Sequence, residues 1–413
     1  MLPLTRSRRR SRFFGIAIPF EPTLDLSFLS SLDAAVTFAR ASSATYFDSV
    51  GVVQTATNNT PRFDYDPVTL VVRGLLIEES RANLALQSAD FATTWSVGGA
   101  TISANAIASP DGGVNADKLV EDATTGSHTL SQNITYSTGA HTASVFAKKA
   151  ERDWVRVLFY DGTSTFSAFF DLTNGVVGNT TGTGTTASIQ AVGNGWYRCV
   201  VTATATAGAG TFAPRIALAN GNSSYAGSSG SGIYLWGAQL EAGAFPTSYI
   251  PTTVASATRA ADVASVNTLS PWFNAAQGTM ALEFSIPAAL TSLSQVTFGD
   301  GTANERMILT SATSLVGTSL RVVDGGSDQC DINLSQSFSL NQVVKVAGAY
   351  AVDSFAVSQN GGVVGADNLG TLPTVTTLYL GSNGVGTYAS SHLRRFTYWN
   401  QRMSNSQLRL ASA

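Results

Sequence analysis

Apolar and polar residues alternate with a period of two over much of this chain, in runs that are short. In 153–160, Val155, Val157 and Phe159 fall on one face and Trp154, Arg156, Leu158 and Tyr160 on the other. Runs of this kind predict strands at 101–106, 117–120, 128–134, 141–148, 153–160, 165–171, 187–192, 196–204, 211–219 and 232–240. A second series is expected at 279–286, 295–299, 306–310, 319–323, 342–349, 354–359, 377–381 and 392–399. Turn formers separate them, among them Asp161-Gly162, Asn174-Gly175, Gly193-Asn194-Gly195 and Asn360-Gly361-Gly362. Helix is expected only in small pieces: one turn at 31–36, and a terminal helix opened by the capping box Ser404-x-x-Gln407.

Composition agrees with this class. Only 12% of the 413 residues are charged and 38 are Gly, which suits short strands joined by tight turns and not long amphipathic helices. The chain is too long for one ordinary core. The expected layout is all-β: two tandem β-sandwiches after an irregular N-terminal anchor (1–36) and a small β adaptor (37–87). The sandwiches occupy 88–252 and 262–413, with a small polar linker between them. Within the adaptor, 44–47 and 52–55 read as a hairpin around Asp48-Ser49-Val50-Gly51. A buried strand follows at 74–77, and Glu78, Glu79 and Arg81 are expected to bring the chain back to the surface.

Net charge is -3, yet Arg6, Arg8, Arg9, Arg10 and Arg12 are positive, leaving -8 on the remainder. A basic arm on an acidic body points to an acidic or carbonyl-lined partner. No basic face with interleaved aromatics accompanies it, which argues against nucleic acid. Phe13, Phe14, Phe20, Phe28 and Leu29 have no obvious local core and are expected to lie on another protein. The apolar run after the arm is short and lacks a small-residue cleavage site, and no run approaches the length of a membrane helix, so neither export nor membrane insertion is expected. Cys199 and Cys330 read as two separate buried thiols.

Three motifs carry a resemblance. R-A-S-x-A-T-Y-F-D at 40–48, P-R-F-D-Y-D-P at 61–67 and R-G-L-L-I-E-E-x-R-x-N-L at 73–84 closely resemble a linker of virion fibre and spike proteins in tailed phages, prophages and gene-transfer agents. The succession at 117–122, 194–199 and 233–252 resembles carbohydrate-binding-module-like jelly rolls of phage fibres. That at 355–362, 378–382 and 393–408 resembles laminin-G or concanavalin-A-like sandwiches. The resemblance implies a head spike or tail fibre subunit assembled in a host cytoplasm and displayed on the virion surface. Arg6, Arg8, Arg9, Arg10, Arg12, Phe13 and Phe14 would dock on capsid or tail proteins. A homo-oligomer, by family a trimer, would present the sandwiches to host polysaccharide.

The chemistry in the residues favours binding over catalysis. His128, His141 and His392 have no metal-ligand spacing, and neither a Walker loop, a dinucleotide fingerprint nor G-x-S-x-G is present. Glu78 with Glu79 and Glu121 with Asp122 are the obvious carboxylate pairs. Strand neighbours point to opposite faces, so neither pair would converge, and all four are expected to be solvated. Sugar rings pack their C–H patches on flat aromatics while their hydroxyls bond polar groups. Trp154, Arg156 and Tyr160, and likewise Tyr234 and Trp236, are therefore the expected glycan-binding residues. Trp196, Tyr197, Tyr398 and Trp399 are expected to pack internally. No cofactor is expected; a structural calcium would draw on Asp111, Asp117 and Glu241. The leading expectation is a non-enzymatic glycan-binding fibre or spike. The alternatives are a polysaccharide-degrading spike enzyme and a ligand-free capsid decoration protein.

Overall fold

The computed structural model describes residues 21–288, 293–311 and 315–413. The expected docking residues Arg6, Arg8, Arg9, Arg10, Arg12, Phe13 and Phe14 lie outside the described residues. Within them the chain is built almost wholly of antiparallel strands, with one helix, Asn405–Ala411, capped by Ser404 and Gln407 as expected. None of the described helical structure is long and apolar enough to cross a membrane.

The first sandwich faces two six-stranded sheets against each other. One runs Thr186–Ala191, Trp196–Ala205, Gly139–Lys149, Gly232–Ala242, Ala116–Glu121, Ala100–Ile107. The other runs Val176–Thr181, Thr165–Asp171, Trp154–Tyr160, Gly208–Ala217, Thr129–Tyr136, Ser96–Gly98. Val155, Val157 and Phe159 point between the sheets, with Phe166, Phe170, Phe212 and Ile216 in the same core. The alternation in the sequence is thus the alternation of the pleat. Buried Cys199 belongs to this core, where burial pushes its thiol far above the ordinary range.

The second sandwich is not made of 262–413 alone. In its eight-stranded sheet the order is Gly365–Asp367, Ser354–Gln359, Val344–Ala351, Gln277–Ser285, Ser391–Trp399, Val72–Ile77, Phe63–Tyr65, and Leu24–Ser27 also pairs with Ser391–Trp399. The facing seven-stranded sheet begins with Thr37–Ala39, paired to Val263–Val266. Leu26, Phe28, Leu75 and Ile77 are buried in one core with Phe284, Phe298 and Phe396. Burying four such side chains stabilises the fold by roughly 6–12 kcal/mol. Residues 24–28, expected in the anchoring segment, therefore belong to this sheet, and Phe28 is a core residue rather than a contact for another protein. The alternation Leu24-Asp25-Leu26-Ser27-Phe28 is itself a strand pattern, which explains the correction. Of the expected adaptor, the hairpin Ala44–Phe47 with Val53–Ala56 forms a sheet of its own. The jelly roll is thus carried as an insertion between two strands of the second sandwich, Val72–Ile77 and Val263–Val266.

The neck of that insertion is a two-stranded ribbon, Arg81–Asn83 with Ala257–Arg259. Asn83 anchors it: its amide nitrogen donates to the carbonyls of Ala238 (3.0 Å) and Ile250 (2.9 Å), and its oxygen accepts from the amides of Ala85 and Leu240. Beside the ribbon, Arg40, Arg62 and Arg259 are fully buried with Asp262 and Glu78. Arg62 donates to Glu78 (2.7 Å), Asp262 (2.5 Å), the Ser248 hydroxyl and the Thr45 carbonyl. Arg40 donates to Asp262 (3.0 Å), and Arg259 reaches Glu78 (2.8 Å). Burial alone would raise the Glu78 carboxyl. Arg259, Arg62 and the Ser248 hydroxyl and amide instead hold it down at about 2. Burial would likewise lower Arg62, yet Asp262 and Glu78 hold it above its ordinary value. The expectation that Glu78 is solvated is corrected here. The three linker motifs contribute Arg40, Arg62 and Glu78, and their charges meet in a buried ion cluster at the neck.

Candidate functional site

The outer face of the sheet containing Trp154–Tyr160 is the better candidate. Register places Arg156 beside Phe169 on one neighbouring strand and beside Arg215 on the other. The Arg156 guanidinium lies over the Phe169 ring, 5.3 Å from its centroid. It donates through Nε and Nη2 to the Ser167 hydroxyl (3.1 and 3.0 Å) and through Nη1 to the Ser223 hydroxyl (3.3 Å). An open groove of about 640 Å3 begins at Arg156 and Phe169 and runs between Gly178, Asn179, Thr180, Thr181 and Gly221. Trp154 packs against its wall: a Cβ at Gly178 would sit 2.9 Å from the indole and closer still to the Asn220 side chain, so only glycine lets the strand Val176–Thr181 approach this closely. Asn179 and Asn220 bridge the groove, the Asn179 amide donating to the Asn220 side chain at 2.7 Å.

The expected site residues are only partly brought together. Arg156 lines this groove, and Trp154 packs against its wall at Gly178. Tyr160 is on the same face but six residues along the strand, about 20 Å from Trp154, where it is exposed and its hydroxyl donates to the Gly162 carbonyl. Leu158, between them, is buried. Arg215 was not among the expected residues. Its signal is nevertheless in the alternation of Gly208–Ala217, where Phe212 and Ile216 point inward and Arg215 therefore outward.

Tyr234 and Trp236 lie on the opposite sheet. Tyr234 pairs in register with Lys118 and Lys148 and lines a cleft of about 420 Å3, together with Lys148, Asn194, Trp196 and the hairpin residues Gly51 and Val52. Trp236 is a correction. It is 2% exposed, packed with Phe146, Tyr249 and Val53, because the hairpin Ala44–Phe47 with Val53–Ala56 folds over that end of the sheet. Its ring is 4.7 Å from that of Tyr249 and 5.2 Å from that of Phe146, and it presents no face to a sugar.

Neither carboxylate pair converges on a cleft. Glu121 is buried, against expectation, where it accepts from Arg152, Tyr225 and the Ser228 amide. Asp122 on the other side of the strand is exposed and turned to Thr124. Asp111, Asp117 and Glu241 do not gather around a common point. Asp111 closes its own loop through Ser109, Gly113 and Asn115, Asp117 accepts the amides of Phe91 and Asn105, and Glu241 accepts from Gln239 and Thr247. Among the described residues no group of three or more acidic, His or Cys side chains is placed to hold a metal ion.

Neither a protein-family model nor a curated protein matches the chain. Among solved structures it is similar to the CBM40 of Ruminococcus gnavus IT-sialidase bound to alpha2,3 sialyllactose. That likeness has 16% identity, a TM-score of 0.29, and covers 34% of this chain and 84% of that one. A heptameric SAP-like pentraxin from Limulus polyphemus is similar at 15% identity and TM-score 0.27, over 34% of this chain and 70% of that one. A botulinum neurotoxin type C structure is similar at 9% identity and TM-score 0.28, over 36% and 39%. Each likeness spans about a third of the chain and adds nothing to the architecture that the strand pairing already establishes.

Proposed function

We propose that this chain is a glycan-binding subunit of a virion fibre or spike, without catalytic activity, and that the groove at Trp154 and Arg156 is its sugar platform. One observation carries the reading: a guanidinium with uncommitted donors and the polar side chains of Asn179, Thr180 and Thr181 border one open groove, and the flat Trp154 indole packs against its wall at Gly178. Aromatic faces receive sugar C–H patches and the polar rim receives hydroxyls. Shallow sites of this kind bind weakly, and several copies on one particle would raise avidity without new contacts. The ion cluster at the neck supports the same reading, since it would hold the jelly roll at a set angle to the sandwich that carries it.

The test is binding of the full chain to host cells and to a glycan array. Trp154→Ala should weaken binding at least about tenfold, corresponding to ~1.4 kcal/mol, whereas Trp154→Phe should retain part of it. Unchanged binding by Trp154→Ala would remove the platform. Release of reducing ends from host polysaccharide would instead favour an enzyme. Attachment to the particle is assigned to residues before Leu24, because Leu24–Ser27 is engaged in the sheet. Deleting 1–20 should abolish incorporation into particles while the two sandwiches stay folded, and incorporation of the truncated chain would refute the assignment.

A further inference from the structure

We propose that Arg156 and Arg215 form an anion clamp on the outer face of the jelly roll, selecting acidic polysaccharides whose sugars carry a carboxylate or a sulfate. The proposal rests on the glycan-binding reading above and names the chemistry of its ligand.

The two residues are register partners on adjacent antiparallel strands, so their side chains leave the same face roughly 5 Å apart at the backbone. Both are half-buried. Among the described residues no ion pair joins either guanidinium to a carboxylate, and neither gains the rise in pKa that one would give. Arg156 is lowered by burial and then by Arg215, and Arg215 by burial alone. Their bonds are to neutral hydroxyls: Ser167 and Ser223 for Arg156, and Ser127 at 3.4 Å for Arg215. The Arg215 Nε–H is buried with no partner. Two like charges, desolvated and adjacent, destabilise the free protein, and an oxyanion placed between them removes that cost. The planar fork of each guanidinium matches the two oxygens of a carboxylate or sulfate, and charge-assisted bonds of this type are about twice as strong as neutral ones. Phe169 under Arg156 holds one guanidinium face and Ser167 takes the Nε–Nη2 edge, which leaves one hydrogen on each of Nη1 and Nη2 for a ligand.

The experiment is affinity electrophoresis of the full chain in gels containing polygalacturonate, dextran sulfate or uncharged dextran. The wild type should be retarded by at least one charged polymer, and which one separates carboxylate from sulfate recognition. Arg156→Gln with Arg215→Gln should weaken that retention about tenfold or more, as expected for lost bonds to a charged group. Arg215→Gln alone, which leaves the Ser167 and Ser223 bonds intact, should shift it in the same direction by less. The Lys pair should restore only part of it, because it keeps charge without the fork. A control pair, Arg321→Gln with Arg395→Gln, removes the same charge from exposed positions and should change nothing. Unaltered retention in the Gln pair, an equal loss in the control pair, or no retention of the wild type by either charged polymer would overturn the clamp. In those cases, retention by uncharged dextran that Trp154→Ala abolishes would leave the broader glycan reading standing, whereas no retention by any polymer would remove both.

Discussion

The neck and the outer face of the jelly roll use the same residue type in opposite ways. At the neck, Arg40, Arg62 and Arg259 are fully buried and each is within ion-pair distance of Asp262 or Glu78. On the outer face, Arg156 and Arg215 are half-buried and find only serine hydroxyls. Carboxylates supplied by the chain itself fit a structural role, and the lack of one beside the groove at Arg156 is what the proposed anion would supply. Substitutions that exchange one condition for the other test whether burial or pairing sets the behaviour of each group.

The largest effect belongs to the neck. Asp262→Ala would leave Arg40 without a carboxylate and Arg62 with Glu78 alone, and removing one partner of a buried pair costs about 3–5 kcal/mol. Chemical denaturation of the full chain should show that loss. A cost below about 1 kcal/mol would mean that the cluster is not what holds the two sandwiches together.

Acid should expose the same cluster. The Glu78 carboxyl is held at about 2, below its ordinary 4.5. A group whose folded value is depressed contributes stability that is fully present above the ordinary value and lost as pH falls through the folded one. A shift of this size corresponds to about 3 kcal/mol. Stability should therefore be flat in this contribution down to about pH 4.5 and fall between there and about pH 2. Glu78→Gln should be less stable at neutral pH and should lose that part of the acid dependence. An unchanged acid profile would show that Glu78 is not charged in the folded chain.

These residues also show what the sequence could reveal and what it could not. Strand positions were readable because the pleat imposes its own period. Thr165–Asp171 and Ser354–Gln359 fall where alternation puts them, and so does the Ser404 cap. The outward set Trp154, Arg156 and Tyr160 was readable for the same reason. Partnership between distant strands was not. Nothing local says that Leu24–Ser27 pairs with a strand some 370 residues later, or that the hairpin would cover Trp236. Glu78 looked solvated because it follows an apolar run, and its two basic partners, Arg62 and Arg259, are distant in the sequence. The matching of Arg215 to Arg156 likewise needs the strand register, which alternation alone does not provide.

On the outer face the sign should reverse. Arg215→Leu removes an uncompensated, half-buried charge and should leave stability unchanged or raise it by up to about 1 kcal/mol, while retention by acidic polysaccharide falls. Thermal denaturation with and without the charged polymer would read both effects. A loss of several kcal/mol would place Arg215 with the neck arginines as a structural residue.

A third arginine separates pairing from burial. Arg395 forms a two-pronged ion pair with Asp25, Nε to Oδ1 at 2.7 Å and Nη2 to Oδ2 at 2.5 Å, and so ties Leu24–Ser27 to Ser391–Trp399. The side chains are 50% and 39% exposed, so water screens what the geometry offers. Asp25→Asn should cost about 0.2–1 kcal/mol and lose even that in high salt, as exposed pairs do. If it instead costs as much as Asp262→Ala, pairing alone would account for the strength of the neck and burial would add nothing. If it costs little, burial is what makes the neck cluster strong when complete and costly when broken. The same burial without a carboxylate partner is then the cost that the proposed anion would relieve at Arg156 and Arg215.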